Sequence, residues 1–428
     1  MQRRHLFLLA RAAYVGVVLL ATLTRLDFSP DLGAAAVRLS RAFTLSLEWR
    51  DAIDGLRNLA LFAGLGAVWV VTSISGKVRQ EVWRSTLWGC AISVTVEGLQ
   101  AFSPVRTASI IDVTTNTLGT LGGAVVVAML ITEVVRSRGA RSYLGIPTFL
   151  VAGSYLLATI SESLTPLFRS EPVKGVYGGP MVRLRAMLAL ATPLTLAQIP
   201  LSDIPLYAPA GFLAVMWLAE AGRDASRGWR GVAIVGAIGA FTLELAHGGL
   251  GVIIRWEGAA TDALSLAFGA WAAARWLPAA TQAFRGASRA RAATYAYAAL
   301  LVFWGWRPFY PRVDGDAILA QLTIPHLVPL ESLADRADVF SALHVTQQFL
   351  LYLPLGALLA VWPLRKRGWW GGLKPALLLA AVLELGHLVL DDRFFDVTNA
   401  LIAAAGLAIG WVVLRRSGYP VYGESLPG

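Results

Sequence analysis

The chain has 428 residues, of which 56% are hydrophobic and only 15% are charged, and its mean hydropathy is +0.60. Soluble domains usually carry about 25% charged residues, so this composition excludes an ordinary soluble protein and predicts an all-α, polytopic helical membrane protein. The net charge of +10 does not indicate a nucleic-acid partner, because Lys and Arg collect in the cytoplasmic loops of membrane proteins. The expected partner is instead the lipid bilayer.

About twelve apolar segments follow one another along the chain, and each approaches the roughly 20 residues that a helix needs to cross a bilayer. The first starts just after the basic N-terminus and is predicted to be an uncleaved helix. The segments predicted to span the membrane are 6–24, 53–74, 84–102, 110–132, 143–161, 203–219, 231–249, 260–277, 291–307, 343–362, 374–390 and 396–414.

The loops between these segments alternate in charge. Basic residues dominate one set, whereas the remaining loops are net acidic; the basic set comprises the N-terminus, 75–83, 133–142, 220–230, 278–290, 363–373 and the C-terminal tail. Because Lys and Arg mark the cytoplasmic side, both termini are predicted to be cytoplasmic. The polar ends of the hairpins described below are then predicted to lie at the outer face.

Three similar stretches indicate an internal repeat. They are RNLALFAGLG (57–66), SDIPLYAPAG (202–211) and QQFLLYLPLG (347–356), and their final glycines are equally spaced. Each stretch is followed by a helical hairpin, and is preceded by one more apolar segment and a long outer loop, at 25–52, 162–202 and 308–342. The chain is therefore predicted to consist of three four-helix repeats, at 1–140, 141–285 and 286–428.

Each hairpin carries the same pattern of polar residues. A glutamate late in the first helix is followed three residues later by Gln or His, then by an arginine in the connection and an aspartate near the start of the second helix. The residues are Glu97, Gln100, Arg106 and Asp112 in the first hairpin (84–132), Glu244, His247, Arg255 and Asp262 in the second (231–277), and Glu384, His387, Arg393 and Asp396 in the third (374–414). Further candidate site residues are Arg57, Asn58, Asn116, Asp203, His344, Gln348 and Asn399.

The pattern in the first repeat resembles the VanZ-like family of bacterial membrane proteins. The resemblance rests on RNLALFAGLG together with Glu97, Gln100, Phe102, Pro104, Arg106, Asp112, Asn116 and Gly119. It is good over about 50–132 and partial over 199–277 and 344–414, where histidine replaces the glutamine and Asn116 is absent or shifted. The resemblance implies a multi-pass protein of the bacterial inner membrane that acts in the cell envelope. Since the family's namesake is associated with resistance to the glycopeptide teicoplanin, a role in antibiotic resistance is an expectation.

Three interpretations of the polar clusters are open. An ionisable residue in a membrane span is costly, so these groups are expected to converge between helices, with the arginine between two carboxylates. In the first interpretation this network only locks the helices together. In the second it binds an anionic lipid or an envelope precursor, because the arginine fork suits phosphate. In the third, the two Glu-x-x-His pairs act in acid–base catalysis or bind metal.

The favoured function is binding of an anionic lipid or envelope precursor, and the alternative is a multi-pass transporter or flippase, since internal repeats suit alternating access. Each repeat has an even number of spans, so all repeats point the same way, which argues against the transporter. No sequence element nominates a nucleophile, so the sequence does not predict an enzyme. No cofactor or metal is predicted, because the chain lacks an HExxH motif and has a single cysteine, Cys90.

Overall fold

A computed structural model describes most of the chain and all three hairpins, apart from short segments. The described residues are 2–23, 28–42, 49–73, 77–104, 108–136, 142–169, 173–175, 177–191, 200–283, 287–307, 309–312, 314–322, 327–328, 339–361, 368–391 and 393–417. Arg106, in the connection of the first hairpin, lies outside them, as does the side chain of Arg57.

The described residues are almost entirely helical. The helices are α1 Gln2–Leu23, α2 Leu32–Arg41, α3 Trp49–Val71, α4 Val78–Gln100, α5 Ile110–Arg136, α6 Thr148–Arg169, α7 Pro180–Leu190, α8 Ile204–Glu220, α9 Ala225–Gly249, α10 Trp256–Ala283, α11 Ala287–Trp306, α12 Gly315–Leu319, α13 Val339–Ala360, α14 Gly368–Gly386 and α15 Val397–Arg416. Short 3-10 turns, Leu201–Asp203 and His387–Val389, adjoin α8 and α14. The prediction of an all-α chain is therefore confirmed for this part of the molecule.

A helix occupies each of the twelve segments that were predicted to span a membrane. Five helices of the described part are long and apolar enough to cross a bilayer by length and composition, at Ile110–Arg136, Leu201–Glu220, Ala225–Gly249, Leu343–Ala360 and Val397–Arg416. These helices support a membrane protein, while the full number of twelve spans stays a prediction.

The boundaries of α6 differ most from the prediction, which put the span at 143–161 whereas the helix is Thr148–Arg169. Gly145 has a positive φ of 82°, and Pro147 follows it, so the chain enters the helix only at Thr148. At the other end, the Ser163 hydroxyl donates to the Thr159 carbonyl at 2.9 Å. The polar residues that suggested a loop are thus accommodated within the helix.

The chain divides into two compact units. The first comprises Met1–Arg136 with Leu330–Ala342, and it contains α1 to α5. The second comprises Ser137–Pro329 with Leu343–Gly428, and it contains α6 to α12, most of α13, and α14 and α15. The second and third hairpins therefore belong to one compact unit, and the first hairpin belongs to the other.

Three pairs of helices, α3 with α5, α8 with α10 and α13 with α15, pack through glycines that lie against backbone carbonyls. A Cβ atom at any of these glycines would lie only 1.8 to 2.0 Å from a carbonyl oxygen of the other helix, so no larger residue fits. Close backbone approach at small residues is typical of helix pairs in membranes. The contacts are Gly66 to Thr120 and Gly123 to Ala63, Gly211 to Leu266 and Gly269 to Ala208, and Gly356 to Leu407 and Gly410 to Leu353.

A tyrosine makes the same contact with one helix of each of these pairs. Its hydroxyl donates to a backbone carbonyl located five residues before the first glycine of the pair, at 2.8 to 3.0 Å. The bonds run from Tyr14 to Leu61, from Tyr155 to Leu206 and from Tyr297 to Leu351. In each case the tyrosine comes from the helix that precedes the outer loop, so α1, α6 and α11 dock in the same way.

The predicted outer loops are not simply solvated segments. They contain the short helices α2, α7 and α12 and bond to the connections of the hairpins, which places them over the polar ends of those hairpins. The backbone bonds include Ser29 N to Phe102 O at 2.9 Å, Val173 N to Gly251 O at 2.9 Å and Arg312 N to Val389 O at 2.8 Å. In the third hairpin the Gln321 side chain adds bonds to Arg393 O and Phe395 N, each 3.0 Å long.

Candidate functional site

In all three hairpins a glutamate ties the end of one helix to the start of the next. Its carboxylate accepts a hydrogen bond from the backbone N–H of the residue just before the second helix, at 2.8 to 3.0 Å. N–H groups at a helix start lack partners within the helix, and a carboxylate there also suits the helix dipole. The bonds run from Ser109 to Glu97, from Arg255 to Glu244 and from Asp396 to Glu384.

Asp112 of the first hairpin contacts the helix that precedes the hairpin. Its carboxylate, in the first turn of α5, accepts a hydrogen bond from Asn58 Nδ2 of α3 at 2.8 Å. This bond brings together two residues that the sequence predicted to be close. The predicted contacts of Arg106, and of the side chain of Arg57, lie outside the described residues.

The two predicted amides of the first hairpin bond to different partners. Gln100 donates to the backbone carbonyl of Thr22 in α1 at 3.0 Å. Asn116 is almost fully buried and donates to the Ser93 hydroxyl of α4 at 2.8 Å. These bonds link the hairpin to α1 and link its two helices to each other.

The second hairpin pairs its glutamate with a histidine and leaves its arginine in solvent. His247 Nδ1 lies 3.2 Å from Glu244 Oε1. The Arg255 side chain is exposed and forms no ion pair with any described carboxylate, contrary to the expectation of an arginine between two acids. Its backbone N–H meets Glu244 instead, since an exposed guanidinium stays hydrated at little cost. The Asp262 carboxylate lies near the Tyr207 hydroxyl of α8.

Four predicted residues of the third hairpin region form one chain of contacts. His344 Nε2 bonds to Asn399 Oδ1 at 2.9 Å, and Asn399 Nδ2 donates to Glu384 Oε1 at 3.1 Å. His387 Nδ1 lies 3.4 Å from the same oxygen, and its Nε2 bonds to the Gly305 carbonyl at 3.1 Å. The chain thus connects α13, α15, α14 and α11. Within the described residues, no group of three or more His, Cys, Asp or Glu side chains converges as a metal site would require.

Asp396 and Arg393 have separate roles at the connection of the third hairpin. Asp396 is the N-cap of α15, and its carboxylate accepts a bond from Thr398 N at 2.7 Å. Arg393 donates from Nε and Nη2 to the carbonyl of Arg307, at 3.1 and 2.9 Å. The Arg393 guanidinium is therefore held against the C-terminal end of α11.

Three of the predicted residues, on three different elements, line a small cavity in the second compact unit. They are Gln348 of α13, Glu384 of α14 and His387 of the 3-10 turn. The cavity has a volume of about 20 Å³, which is enough for one water-sized group. The remaining lining residues are Leu301, Trp304, Gly305, Leu351, Tyr352 and Leu383.

A largely buried ion cluster joins α6, α8, α11 and α13. Arg307 directly follows α11 and only 10% of its side chain is exposed; its guanidinium contacts the Glu162 carboxylate and lies 3.6 Å from that of Asp203. Gln347 also donates to Glu162. The Trp304 ring stacks near the guanidinium, with 5.5 Å between the guanidinium carbon and the ring centroid. Two carboxylates therefore share one buried cation.

Of this cluster the sequence predicted only Asp203. Arg307 was assigned to the end of a span, and Glu162 to the start of an outer loop. The one available signal was that each is a charged residue at the edge of a long apolar run. Nothing in the sequence joined the two, since they are far apart along the chain and belong to different predicted repeats.

Comparison with known proteins identifies the family of the chain. The family model described as VanZ/LLP1 matches residues 11–131 and again residues 294–417, which together make up more than half of the chain. No curated protein matches the chain, and no solved structure matches it. The two matches contain the first and third hairpins, while the predicted partial resemblance over 199–277 falls between them. The chain therefore belongs to the VanZ/LLP1 family.

Proposed function

We propose that this family member is a protein of the bacterial inner membrane that acts in the cell envelope, where it binds the polar head group of an anionic lipid or an envelope precursor. Both termini lie in the cytoplasm and the hairpin connections face outward. Three features support the proposal: the family, five apolar helices of sufficient length, and the alternation of basic and acidic loops.

The observation that carries the proposal is the cavity at the third hairpin. Gln348, Glu384 and His387 converge on it from separate elements, and its volume of about 20 Å³ admits the tip of a head group, such as one hydroxyl or one phosphate oxygen. The positive charge of Arg393 lies close by, because its guanidinium bonds to the carbonyl two residues beyond Gly305 in the cavity wall. That charge favours an anionic group.

The substitution Gly305→Ala tests whether the cavity is a binding site. An added Cβ at Gly305 would meet Leu383 at 3.7 Å and His387 at 3.9 Å, which is ordinary contact, so the methyl group fills the cavity without a clash. We expect the variant to fold as well as the wild type, since Ala is favoured over Gly in a helix by roughly 0.5–1 kcal/mol. It should lose bound lipid, counted by native mass spectrometry after transfer into phosphatidylglycerol nanodiscs.

The matched control is Gly153→Ala in α6, where a Cβ would meet nothing within 4 Å. It brings the same gain in helix propensity but is not part of the cavity wall, so it should retain lipid like the wild type. In cells, the same two variants can be compared for susceptibility to glycopeptides, which tests the resistance role. Equal lipid retention by both variants and the wild type would refute binding at this cavity.

We further propose that the chain is built from three related repeats, at 1–140, 141–285 and 286–428. The support is the recurrence of three contacts: the paired glycines, the tyrosine bonded to a carbonyl, and the glutamate bonded to the next helix. All three occur in the middle segment, which the family model does not match. Binding is favoured over transport because Asp203 and Arg307 lie at helix ends rather than helix centres.

A further inference from the structure

The hydrogen bond between His387 and Gly305 fixes where the imidazole carries a proton. His387 Nε2 lies 3.1 Å from the backbone carbonyl oxygen of Gly305. A carbonyl oxygen only accepts hydrogen bonds, so Nε2 must be the donor and must bear a hydrogen. In a neutral imidazole the other nitrogen, Nδ1, then has a bare lone pair.

This lone pair would face a carboxylate. Among the residues that the structure describes, His387 Nδ1 has no hydrogen-bond partner; it is buried and lies 3.4 Å from Glu384 Oε1. If the glutamate were ionised and the histidine neutral, two acceptors would face each other in a buried place. Such an arrangement is unfavourable, because buried polar groups need complementary partners.

Glu384 needs positive charge for a second reason. The residue is only 6% exposed, and a buried carboxylate is costly unless it is paired or neutralised. Among the described residues, its neighbours Asp396 N and Asn399 Nδ2 donate hydrogen bonds but bring no net charge. His387 is the one basic side chain of this part of the chain that contacts it.

We propose that Glu384 and His387 together bind one exchangeable proton, which makes the third hairpin a proton-binding site beside the cavity. With the proton on Nδ1 the pair is an imidazolium and a carboxylate; with the proton on Glu384 it is a carboxylic acid that donates to Nδ1. Either form turns the contact between two acceptors into a hydrogen bond. The inference does not rest on the proposed function.

Several charged or titratable groups surround this pair on the elements packed against it. Tyr352 of α13 lines the same cavity, and His344 reaches Glu384 through Asn399. Asp396 lies at the start of α15, while Arg307 and Arg393 meet at the end of α11.

The second hairpin provides a contrast within the same protein. His247 Nδ1 faces Glu244 at 3.2 Å, but its Nε2 is buried and has no hydrogen-bond partner in the described part of the chain. Nothing therefore forces its hydrogen onto Nε2, and a neutral His247 can donate from Nδ1 to Glu244. The same two residue types thus require an added proton in the third hairpin but not in the second.

Nitrogen-15 NMR of labelled histidines in the full-length protein in nanodiscs tests the proposal directly, because the chain has only five histidines. The variants His387→Gln and His247→Gln assign the two signals. We expect Nδ1 of His387 to appear protonated or hydrogen-bonded to a proton on Glu384, and His247 to appear neutral with its hydrogen on Nδ1. In Glu384→Gln, the His387 signal should change to neutral with its hydrogen on Nε2.

A neutral His387 in the wild type, with a bare Nδ1 and no response to Glu384→Gln, would overturn the proposal. If Glu384→Gln fails to fold, a pH titration of the wild type replaces it. The His387 nitrogen shifts and the carboxyl carbon shift of Glu384 should then change together in one step, and independent steps would refute the shared proton.

Discussion

The first and third hairpins share a hydrogen bond from the backbone to a glutamate, but they differ in the residue three positions after that glutamate. In both, a glutamate accepts a hydrogen bond from the N–H at the start of the following helix, at 2.9 Å for Glu97 and 2.8 Å for Glu384. Three residues later the first hairpin has Gln100, which donates to the Thr22 carbonyl, and the third has His387, which donates to the Gly305 carbonyl. Both side chains thus reach back to the carbonyl of an earlier helix.

The same position therefore has a purely structural role as Gln100 in the first hairpin, whereas in the third hairpin it holds a titratable side chain, His387. An amide has its own donor and acceptor and gains no charge between pH 4 and 9. An imidazole that donates a hydrogen bond from one nitrogen needs either a proton or a hydrogen-bond donor at its other nitrogen. The cavity also adjoins His387, so binding and protonation would meet at the same place.

The largest expected loss of stability comes from disrupting the close helix packing at the paired glycines. At Gly123 an added Cβ would lie 1.8 Å from the Ala63 carbonyl oxygen, whereas at the adjacent Gly122 it would meet nothing within 4 Å. Gly123→Ala should therefore force α3 and α5 apart and destabilise the protein by about 3 kcal/mol or more. Gly122→Ala should be neutral, and thermal unfolding of both variants would reveal any failure of this contrast.

A smaller loss of stability is expected when the glutamate that bonds to the start of the next helix is removed. Glu97→Ala leaves the Ser109 N–H without its acceptor, at a cost of about 1–3 kcal/mol. Glu384→Ala should also be destabilising, because the Asp396 N–H, the Asn399 amide and His387 lose the same partner. Denaturation midpoints of the two variants measure both losses, and a midpoint equal to that of the wild type in either variant would contradict the role given to the glutamate.

Removing one tyrosine hydroxyl at a time tests whether the three proposed repeats dock alike. Tyr14→Phe, Tyr155→Phe and Tyr297→Phe each delete one hydrogen bond to a helix carbonyl and leave the ring in place. Each should cost roughly 0.5–1.5 kcal/mol, the usual net value of such a bond. A near-zero effect at one of the three positions would set that repeat apart from the others.

Converting the first hairpin toward the third sharpens the comparison further. Gln100→His keeps a donor for the Thr22 carbonyl and directs a second nitrogen toward Glu97, which is three residues away on the same helix. We expect stability within about 1 kcal/mol of the wild type and one new pH-dependent histidine signal by NMR. Gln100→Leu, the control, should show no such signal, and the absence of the signal in Gln100→His would count against the role given to the neighbouring glutamate.

The smallest change in stability is expected at Asp224, an exposed N-cap residue away from the hairpin connections. The Ser226 hydroxyl and backbone N–H bond to Asp224 at the start of α9 and hold the pKa of this carboxyl below its usual range. Its stabilisation is thus complete above the ordinary pKa of aspartate and is lost as pH falls through the lowered pKa. The melting difference between wild type and Asp224→Ala should be small at pH 7 and vanish in acid; a difference that grows in acid would be inconsistent.

Sequence predicted the features that depend on local pattern. Apolar runs predicted the twelve segments in which the structure has helices, and the equal spacing of Gly66, Gly211 and Gly356 predicted an internal repeat. The spacing of Glu384, His387 and Asn399 also predicted residues that the structure joins in one chain of contacts. These relations lie within one hairpin, so periodicity of the helix is enough to reveal them.

The remaining features depend on partners distant in sequence. The ion cluster of Arg307 with Glu162 and Asp203 joins the end of α11 to the interior of α6 and the start of α8, and no periodicity relates these positions. The expected placement of arginine between two acids was wrong for Arg255 because the start of a helix offers backbone N–H groups to the glutamate first. The charges of the side chains alone do not predict that backbone N–H groups compete with the arginine for the glutamate.

The most direct test of the account is a cryo-EM structure of the full-length protein in phosphatidylglycerol nanodiscs, determined for the wild type and for Gly305→Ala. In the wild type we expect head-group density that ends in the cavity beside Gln348, Glu384 and His387. In the variant we expect this density to be lost while the helices stay in place. A cavity with only water in both structures, or lipid density unchanged by the added methyl group, would contradict it.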